Sequence, residues 1–180
     1  MEFYAEKIGL NFKDLKKIRK LYIQSFPKSE RMPFPLLLLV SKRKGADFYA
    51  FYSQGDLCGF TCLMRHQNMA FVLYLAIESR LRSRGYGSEI LSWIKKRHPG
   101  AQIALSIETV GGTFEKDPQR RRRKSFYLKN GFLDTGYTIR EFGEVYDILS
   151  TQLPFSMDQY QALIQKFSFG SVKTEILKSR

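Results

Sequence analysis

The stretch that decides the fold is RLRSRGYGSEIL, residues Arg80 to Leu91, in which two glycines follow a group of arginines. It comes directly after AFVLYLAI (Ala70–Ile77), an apolar run typical of a strand that is buried on both faces. The residues that follow have the amphipathic spacing of a helix. The first N–H groups of a helix have no intrahelical acceptor, and the helix dipole adds partial positive charge there. Glycines let a bulky anion reach those donors, so the turn predicts a phosphate site.

The turn differs from two common phosphate-binding motifs. No Gly-Lys-Ser/Thr follows it, as a Walker loop requires, and it has two glycines where the dinucleotide fingerprint needs three. Arg82 and Arg84 would supply positive charge at its rim. The alternative interpretation is a strand-to-helix loop whose glycines only relieve crowding.

Hydrophobic periodicity along the rest of the chain predicts a mixed sheet flanked by helices, of the α/β (α+β) class. The predicted strands are Phe3–Ile8, Asp47–Tyr52, Leu57–Arg65, Ala70–Ile77, Gln102–Ile107, Phe132–Arg140 and Glu144–Leu149. The predicted helices are Phe12–Ser25, Leu36–Arg43, one from the glycine turn to His98, Arg120–Asn130 and Met157–Phe167. The strand, helix and strand from Ala70 to Ile107 form a βαβ unit, whose two strands should be parallel. The two hairpins on either side of it should be antiparallel.

Composition limits the class of protein. A length of 180 residues with 43% hydrophobic content predicts one folded domain spanning residues 1–180. The formal net charge of +13 favours a polyanionic partner: nucleic acid, an anionic membrane or a phosphate-bearing cofactor.

Cys58 and Cys62 lack neighbouring His or Cys residues, so we expect two reduced thiols and no metal site. MEFYAEKIGL lacks the features of a signal peptide, and the run Leu36–Val40 is too short to span a bilayer, so we expect a soluble, cytoplasmic protein without membrane association.

The sequence resembles the GNAT (N-acetyltransferase) superfamily at two motifs. Arg82 to Gly87 matches the signature Gln/Arg-x-x-Gly-x-Gly/Ala, and RRKSFYLKNGF (Arg122–Phe132) is similar to a second motif, a helix that carries Phe-Tyr and closes with Gly-Phe. The resemblance implies a mostly antiparallel sheet with a central parallel βαβ unit, and an acyltransferase that uses acetyl-CoA. It also implies that the turn binds the pyrophosphate of the coenzyme and that the preceding strand pairs with its pantetheine arm. The implied cofactor-binding residues are Leu75, Ala76, Ile77, Arg82, Ser83, Arg84, Gly85, Tyr86, Gly87 and Ser88.

The implied reaction is direct attack of a primary amine on the acetyl thioester. Tyr127 of the Phe-Tyr pair is the expected proton donor to the leaving thiolate, since a phenol with a pKa of about 10 is protonated at neutral pH; the alternative is an aromatic anchor. The backbone N–H of Ala76 or Ile77 is the expected oxyanion donor. Glu108, at the carboxyl edge of its strand, is the first choice for the base, directly or through a water, and Glu78 is the second. Either could instead be a surface carboxylate near Arg84.

Two positions depart from the family pattern. Phe71 stands where the histone-acetylating branch has a glutamate base, which disfavours that mechanism. Arg120 stands where many members have an asparagine that touches the pantetheine arm, so that contact is in doubt.

The arginine run Arg120–Lys124 has two interpretations. Five consecutive helical residues extend around more than one turn and cannot all face one ligand. We therefore favour a solvated helix start, with one or two arginines near the 3′-phosphate of coenzyme A. A basic RNA- or ribosome-binding module without catalysis is the alternative, although no RNP-type motif is present. The expected acceptor is a small-molecule or peptide amine, whose identity stays open. The oligomeric state also stays open, and a dimer is possible.

Overall fold

The computed structural model describes residues 3–110 and 117–178, which contain eight strands and five α-helices. The strands are β1 (Phe3–Lys7), β2 (Ala46–Ser53), β3 (Asp56–His66), β4 (Met69–Ile77), β5 (Gln102–Glu108), β6 (Leu133–Glu141), β7 (Glu144–Ser150) and β8 (Glu175–Lys178). The helices are α1 (Leu15–Ser25), α2 (Phe34–Val40), α3 (Tyr86–Arg97), α4 (Pro118–Lys129) and α5 (Met157–Ser168). Two short 3-10 turns, Lys28–Glu30 and Ser79–Leu81, precede α2 and α3.

The strands form one mixed sheet of eight in the order β1-β2-β3-β4-β5-β7-β6-β8. The predicted parallel pair is confirmed: β4 and β5 run parallel, with Met69–Phe71 opposite Gln102–Ala104. The pairings β1–β2, β2–β3, β5–β7, β6–β7 and β6–β8 are all antiparallel. The fold class predicted from the sequence is therefore correct.

The chain divides into two compact units, residues 1–64 with 72–99, and residues 65–71 with 100–180. In the first unit, α1 and α2 bury aliphatic and aromatic side chains in a core with β2, β3 and β4. Tyr22 is central to this core, because its ring packs against Phe34, Phe60 and Tyr74 and is 1% exposed.

The second unit has a core of its own, built from β5, β6, β7 and α5. Tyr160 of α5 is fully buried and packs against Phe71, at the start of β4, and against Phe155. Ser156 directly precedes α5 and caps it, because its side chain accepts a hydrogen bond from the Gln159 N–H.

Three details differ from the sequence prediction. Helix α2 begins at Phe34 rather than Leu36, because Pro35 lies in the first helical turn, where no N–H donor is needed. Helix α4 begins at Pro118 rather than Arg120, because Asp117 caps it. Strand β8 was not predicted: its four residues are too few to show a period.

Burial along β4 also departs from expectation. Its first four residues are buried, but from Leu73 onward alternate residues are only half-buried. The half-buried residues are Leu73, Leu75 and Ile77, while Tyr74 and Ala76 are buried. Burial therefore alternates within the continuous apolar run, and one face of the carboxyl half of β4 is only partly buried.

Candidate active site

The carboxyl end of β4 lies close to β3. Gly59 of β3 is so near that a Cβ built on it would lie 2.3 Å from the Ala76 carbonyl oxygen. The Thr61 hydroxyl donates to the Tyr74 carbonyl (3.0 Å), and the Glu78 N–H donates to the Cys58 carbonyl (2.8 Å). These contacts fix the backbone of residues 74–78. They hold in place the segment Leu75–Ile77, which the sequence analysis expects to bind the cofactor.

The chain leaves β4 through an exposed basic turn. Arg82, Ser83 and Arg84 are all exposed, and the Arg82 Nε donates to the Ile77 carbonyl at 3.3 Å. Ser83 and Gly85 both have left-handed backbone conformations, with φ of 61° and 89°. Such a φ suits glycine and is uncommon for serine. The turn thus bends sharply before the helix.

Gly85 is the N-cap residue of α3. No side chain caps this helix end, and nothing lies within 4 Å of the point where a Cβ on Gly85 would be. The backbone N–H groups of Tyr86, Gly87 and Ser88 belong to the first turn, whose amides lack intrahelical acceptors. The start of this twelve-residue helix therefore offers an open space, N–H donors and the positive end of a helix dipole, which together suit an anion.

The Tyr86 side chain takes no part in that opening. Its ring stacks on Phe3, with centroids 6.4 Å apart, and its hydroxyl donates to the Ser53 hydroxyl at 3.4 Å. Tyr86 can therefore contribute its backbone N–H, but not its side chain, to an anion site. The aromatic ring instead anchors α3 in the first unit.

Tyr127 is a half-buried residue of α4, in the second unit. Its ring packs edge-on against Phe126 and Phe132, with centroid distances of 5.1 and 5.7 Å. Burial raises its pKa to about 12, and the positive charge of Arg123 lowers it in part. The phenol is therefore protonated throughout the neutral range, as a proton donor must be.

Glu108 ends β5 in the same unit and is held by two arginines. Its Oε2 accepts a short hydrogen bond from the Arg123 Nη1, and its Oε1 lies 3.5 Å from the Arg120 Nη2. Arg120 also donates to the Thr109 carbonyl at 3.3 Å. The structure thus brings Glu108 together with two residues of the arginine run. Sequence reasoning missed this partnership, because the contact depends on how α4 meets the end of β5.

Glu78, the second candidate base, is half-buried directly after β4 in the first unit. Within residues 3–110 and 117–178, no hydrogen bond or ion pair of its carboxylate is observed. The arginine run is only partly solvated: Arg121 and Arg122 are exposed, while Arg120 and Arg123 contact Glu108. Sequence reasoning also missed Gly59, although a glycine inside a strand is itself a signal of close backbone approach.

Two features are not found in the described part of the chain. No group of three or more His, Cys, Asp and Glu side chains there could hold a metal ion. Each described helix falls short of the length and apolarity needed to cross a bilayer.

A glycine turn joins β4 to α3, whose start has no side-chain cap, and this arrangement is that of a protein that binds a phosphate-bearing ligand. Residues 44–133, half of the 180-residue chain, match the family model described as an acetyltransferase (GNAT) domain. The chain therefore belongs to the GNAT acetyltransferase family. No curated protein matches the sequence.

Solved structures share this fold at low sequence identity. A Bacteroides thetaiotaomicron protein described as a GNAT-family acetyltransferase aligns with a TM-score of 0.74 at 18% identity, covering 93% of this chain and 98% of that one. The ribosomal-protein-S18-alanine N-acetyltransferase of Escherichia coli aligns with a TM-score of 0.61 at 13% identity, covering 86% and 96%. An aminoglycoside 6′-N-acetyltransferase complexed with coenzyme A aligns with a TM-score of 0.65 at 15% identity, covering 82% and 95%.

Proposed function

We propose that residues 1–180 act as a single acetyltransferase domain that moves the acetyl group of acetyl-CoA directly to a primary amine. The observation that carries the proposal is the start of α3. There an uncapped helix end with an open space at Gly85 is preceded in sequence by two exposed arginines, Arg82 and Arg84. A diphosphate meets N–H donors and positive charge at such a point. The match to the GNAT family and the coenzyme A complex of a protein with the same fold support this choice of cofactor.

The expected cofactor-binding residues divide by role. The backbone of Leu75, Ala76 and Ile77, on the partly open end of β4, would pair with the pantetheine arm. The N–H groups of the α3 start would hold the pyrophosphate, and Ser83 would add a hydroxyl donor. The expected donors at the helix start are Gly85, Tyr86, Gly87 and Ser88.

The chemistry requires three groups. Acetyl-CoA supplies an acetyl group activated as a thioester. The backbone N–H of Ala76 or Ile77 would donate to the acetyl carbonyl oxygen as negative charge develops on it. Tyr127 would protonate the departing sulfur, and its raised pKa means that the phenol carries its proton at neutral pH. Glu108, Glu78 or a water molecule would remove the proton of the attacking amine.

The acceptor would meet the segment that connects α1 and α2, within Pro27–Val40. This segment is held against the first core, because the Tyr74 hydroxyl donates to the Glu30 carbonyl (2.9 Å) and accepts from the Met32 N–H (3.1 Å). The Tyr22 hydroxyl donates to the Met32 carbonyl at 3.0 Å. A preformed wall of this kind favours a defined acceptor. Free Cys58 and Cys62 are compatible with the reducing cytoplasm as the place of action.

A binding experiment tests the cofactor site. Gly85→Val forces a branched residue into a left-handed conformation and fills the open space, so acetyl-CoA binding measured by calorimetry should be lost. Gly100→Val is the matched control: Gly100 also has a positive φ (77°) and open space around it, but lies after the other end of α3. Gly85→Val protein that stays folded and still binds acetyl-CoA would contradict the site.

A second experiment identifies the acceptor. Release of free coenzyme A thiol is followed with a panel of aminoglycosides, polyamines, amino acids, peptides with free N-termini and lysine peptides. Transfer to one class with saturable kinetics is the expected result. Binding of RNA with steep salt dependence, without transfer to any amine, would support the alternative function.

A further inference from the structure

Helix α4 presents a single line of side chains toward the end of β5. Arg120, Arg123 and Tyr127 are spaced by three and four residues, so they lie along one face of the helix. Two members of this line, Arg120 and Arg123, contact the same carboxylate, Glu108. The third is the expected proton donor. Glu108 is thus attached to the face of α4 that carries Tyr127.

We propose that Glu108 is a positioning residue: its carboxylate, held by Arg120 and Arg123, fixes α4 at the end of β5 and so sets the place of the Tyr127 hydroxyl. This assignment rests on the proposed function, in which Tyr127 donates a proton.

The geometry of the cluster supports a clamp. One contact would fix the distance between strand and helix but would leave the helix free to rotate about its axis. Two arginines one turn apart, each on a different oxygen of Glu108, fix the rotation and the axial position together. Arg120 adds a third contact by donating to the carbonyl of Thr109, the residue directly after β5.

The packing of α4 makes these ionic contacts more important than usual. All twelve residues of α4 are described, and none of them is fully buried. Apolar packing comes from half-buried rings such as Phe126 and Tyr127. Polar contacts therefore contribute strongly to the orientation of α4: Arg120 and Arg123 contact Glu108, and Lys124 contacts Asp134 and Asp147.

The same contacts argue against Glu108 as the base. A general base needs a lone pair directed at the amine or at a bridging water. Both oxygens of Glu108 already accept from, or pair with, guanidinium groups. Under this proposal, Glu78 or water rather than Glu108 removes the proton of the attacking amine.

The experiment measures three variants: Glu108→Gln, Arg123→Gln and the double variant that combines these two substitutions. Arg122→Gln is measured beside them. Arg122 is the matched control, because it is an exposed arginine of the same helix. We expect each single variant to lower kcat about tenfold while the KM for acetyl-CoA changes by less than about twofold. The double variant should be no slower than the single ones, because both substitutions break one clamp. Arg123→Lys should restore most of the kcat.

Hydrogen exchange of the α4 amides is a readout that does not depend on activity. Exchange in residues 120–129 should be faster in Glu108→Gln and Arg123→Gln and unchanged in Arg122→Gln. If Glu108→Gln loses about a thousandfold in kcat together with the acidic limb of the pH profile, and Arg123→Gln is near wild type, Glu108 is the base and the proposal is wrong. Unchanged exchange in both variants would also overturn it. If the wild type acetylates no amine, the proposed function fails, while the exchange data still decide whether the clamp exists.

Discussion

The backbone of β3 at Gly59 lies close to the backbone of β4, and replacing this glycine by alanine tests the architecture of the site. A Cβ on Gly59 would lie 2.3 Å from the Ala76 carbonyl oxygen and 3.0 Å from the Ile77 Cδ1. Gly59 does not have a positive φ, so alanine would be conformationally acceptable. The effect of Gly59→Ala therefore comes from the clash alone.

The size of the effect follows from that distance. Ordinary contacts of a carbon atom begin near ~3.5 Å, so β3 and β4 must separate locally by about 1 Å. Overpacking a well-ordered region costs about 1–3 kcal/mol, and a clash with backbone belongs at the upper end. At about 2–4 °C per kcal/mol for a chain of this size, ~3 kcal/mol lowers the Tm by about 6–12 °C. The displaced Ala76 and Ile77 amides should also lower kcat about 100-fold, the usual result of a misplacement of about 1 Å.

The assay is thermal unfolding of Gly59→Ala beside Gly9→Ala, followed by acetyl transfer at a temperature where both are folded. Gly9 is the matched control, since nothing lies within 4 Å of its Cβ position and its φ is not positive. A Gly59→Ala variant that melts with the wild type would refute the argument that β4 is held by close approach to β3. Loss of stability without loss of kcat would confirm the close approach of β3 and β4 but would contradict the proposed catalytic role of the Ala76 and Ile77 amides.

Two further predictions concern titratable groups in the second unit. Tyr127→Phe should lower kcat about 100-fold with little change in the Kd of acetyl-CoA, because only the proton donor is lost; equal turnover would remove Tyr127 from the mechanism. Glu141 is buried, which raises its pKa, although the hydroxyls of Thr174 and Tyr160 donate to it and offset part of the shift. Because the folded pKa is the higher one, its stabilising contribution is present at acidic pH and is lost as the pH rises through the folded pKa. Glu141→Gln keeps an acceptor that cannot ionise, so its Tm should exceed that of the wild type at pH 8, and the gap should close toward pH 4; a gap independent of pH would contradict this.

The parts of the fold that the sequence predicts are those with a strong local cause. The βαβ unit follows from the apolar run of β4 and the glycines at the start of α3, and the parallel pairing of β4 with β5 confirms it. The short strand β8 has no such cause, because its pairing with β6 is decided by contacts distant in sequence. The sequence also does not reveal the half-buried face of β4, because Leu75 and Ile77 are apolar even though they are not fully buried.

The candidate site shows the same division at the level of single residues. The proposed role of Gly85 can be predicted locally, because a helix start without a side-chain cap is a property of neighbouring residues. The surroundings of Glu108 cannot, since its partners lie 12 and 15 positions away on another element. Sequence position at the end of a strand makes any carboxylate a candidate base, whereas the two guanidinium groups on the oxygens of Glu108 are the reason why we propose a positioning role for it. If hydrogen exchange and kinetics agree with the clamp, the search for the base moves to Glu78, whose carboxylate has no observed hydrogen bond or ion pair with the described residues.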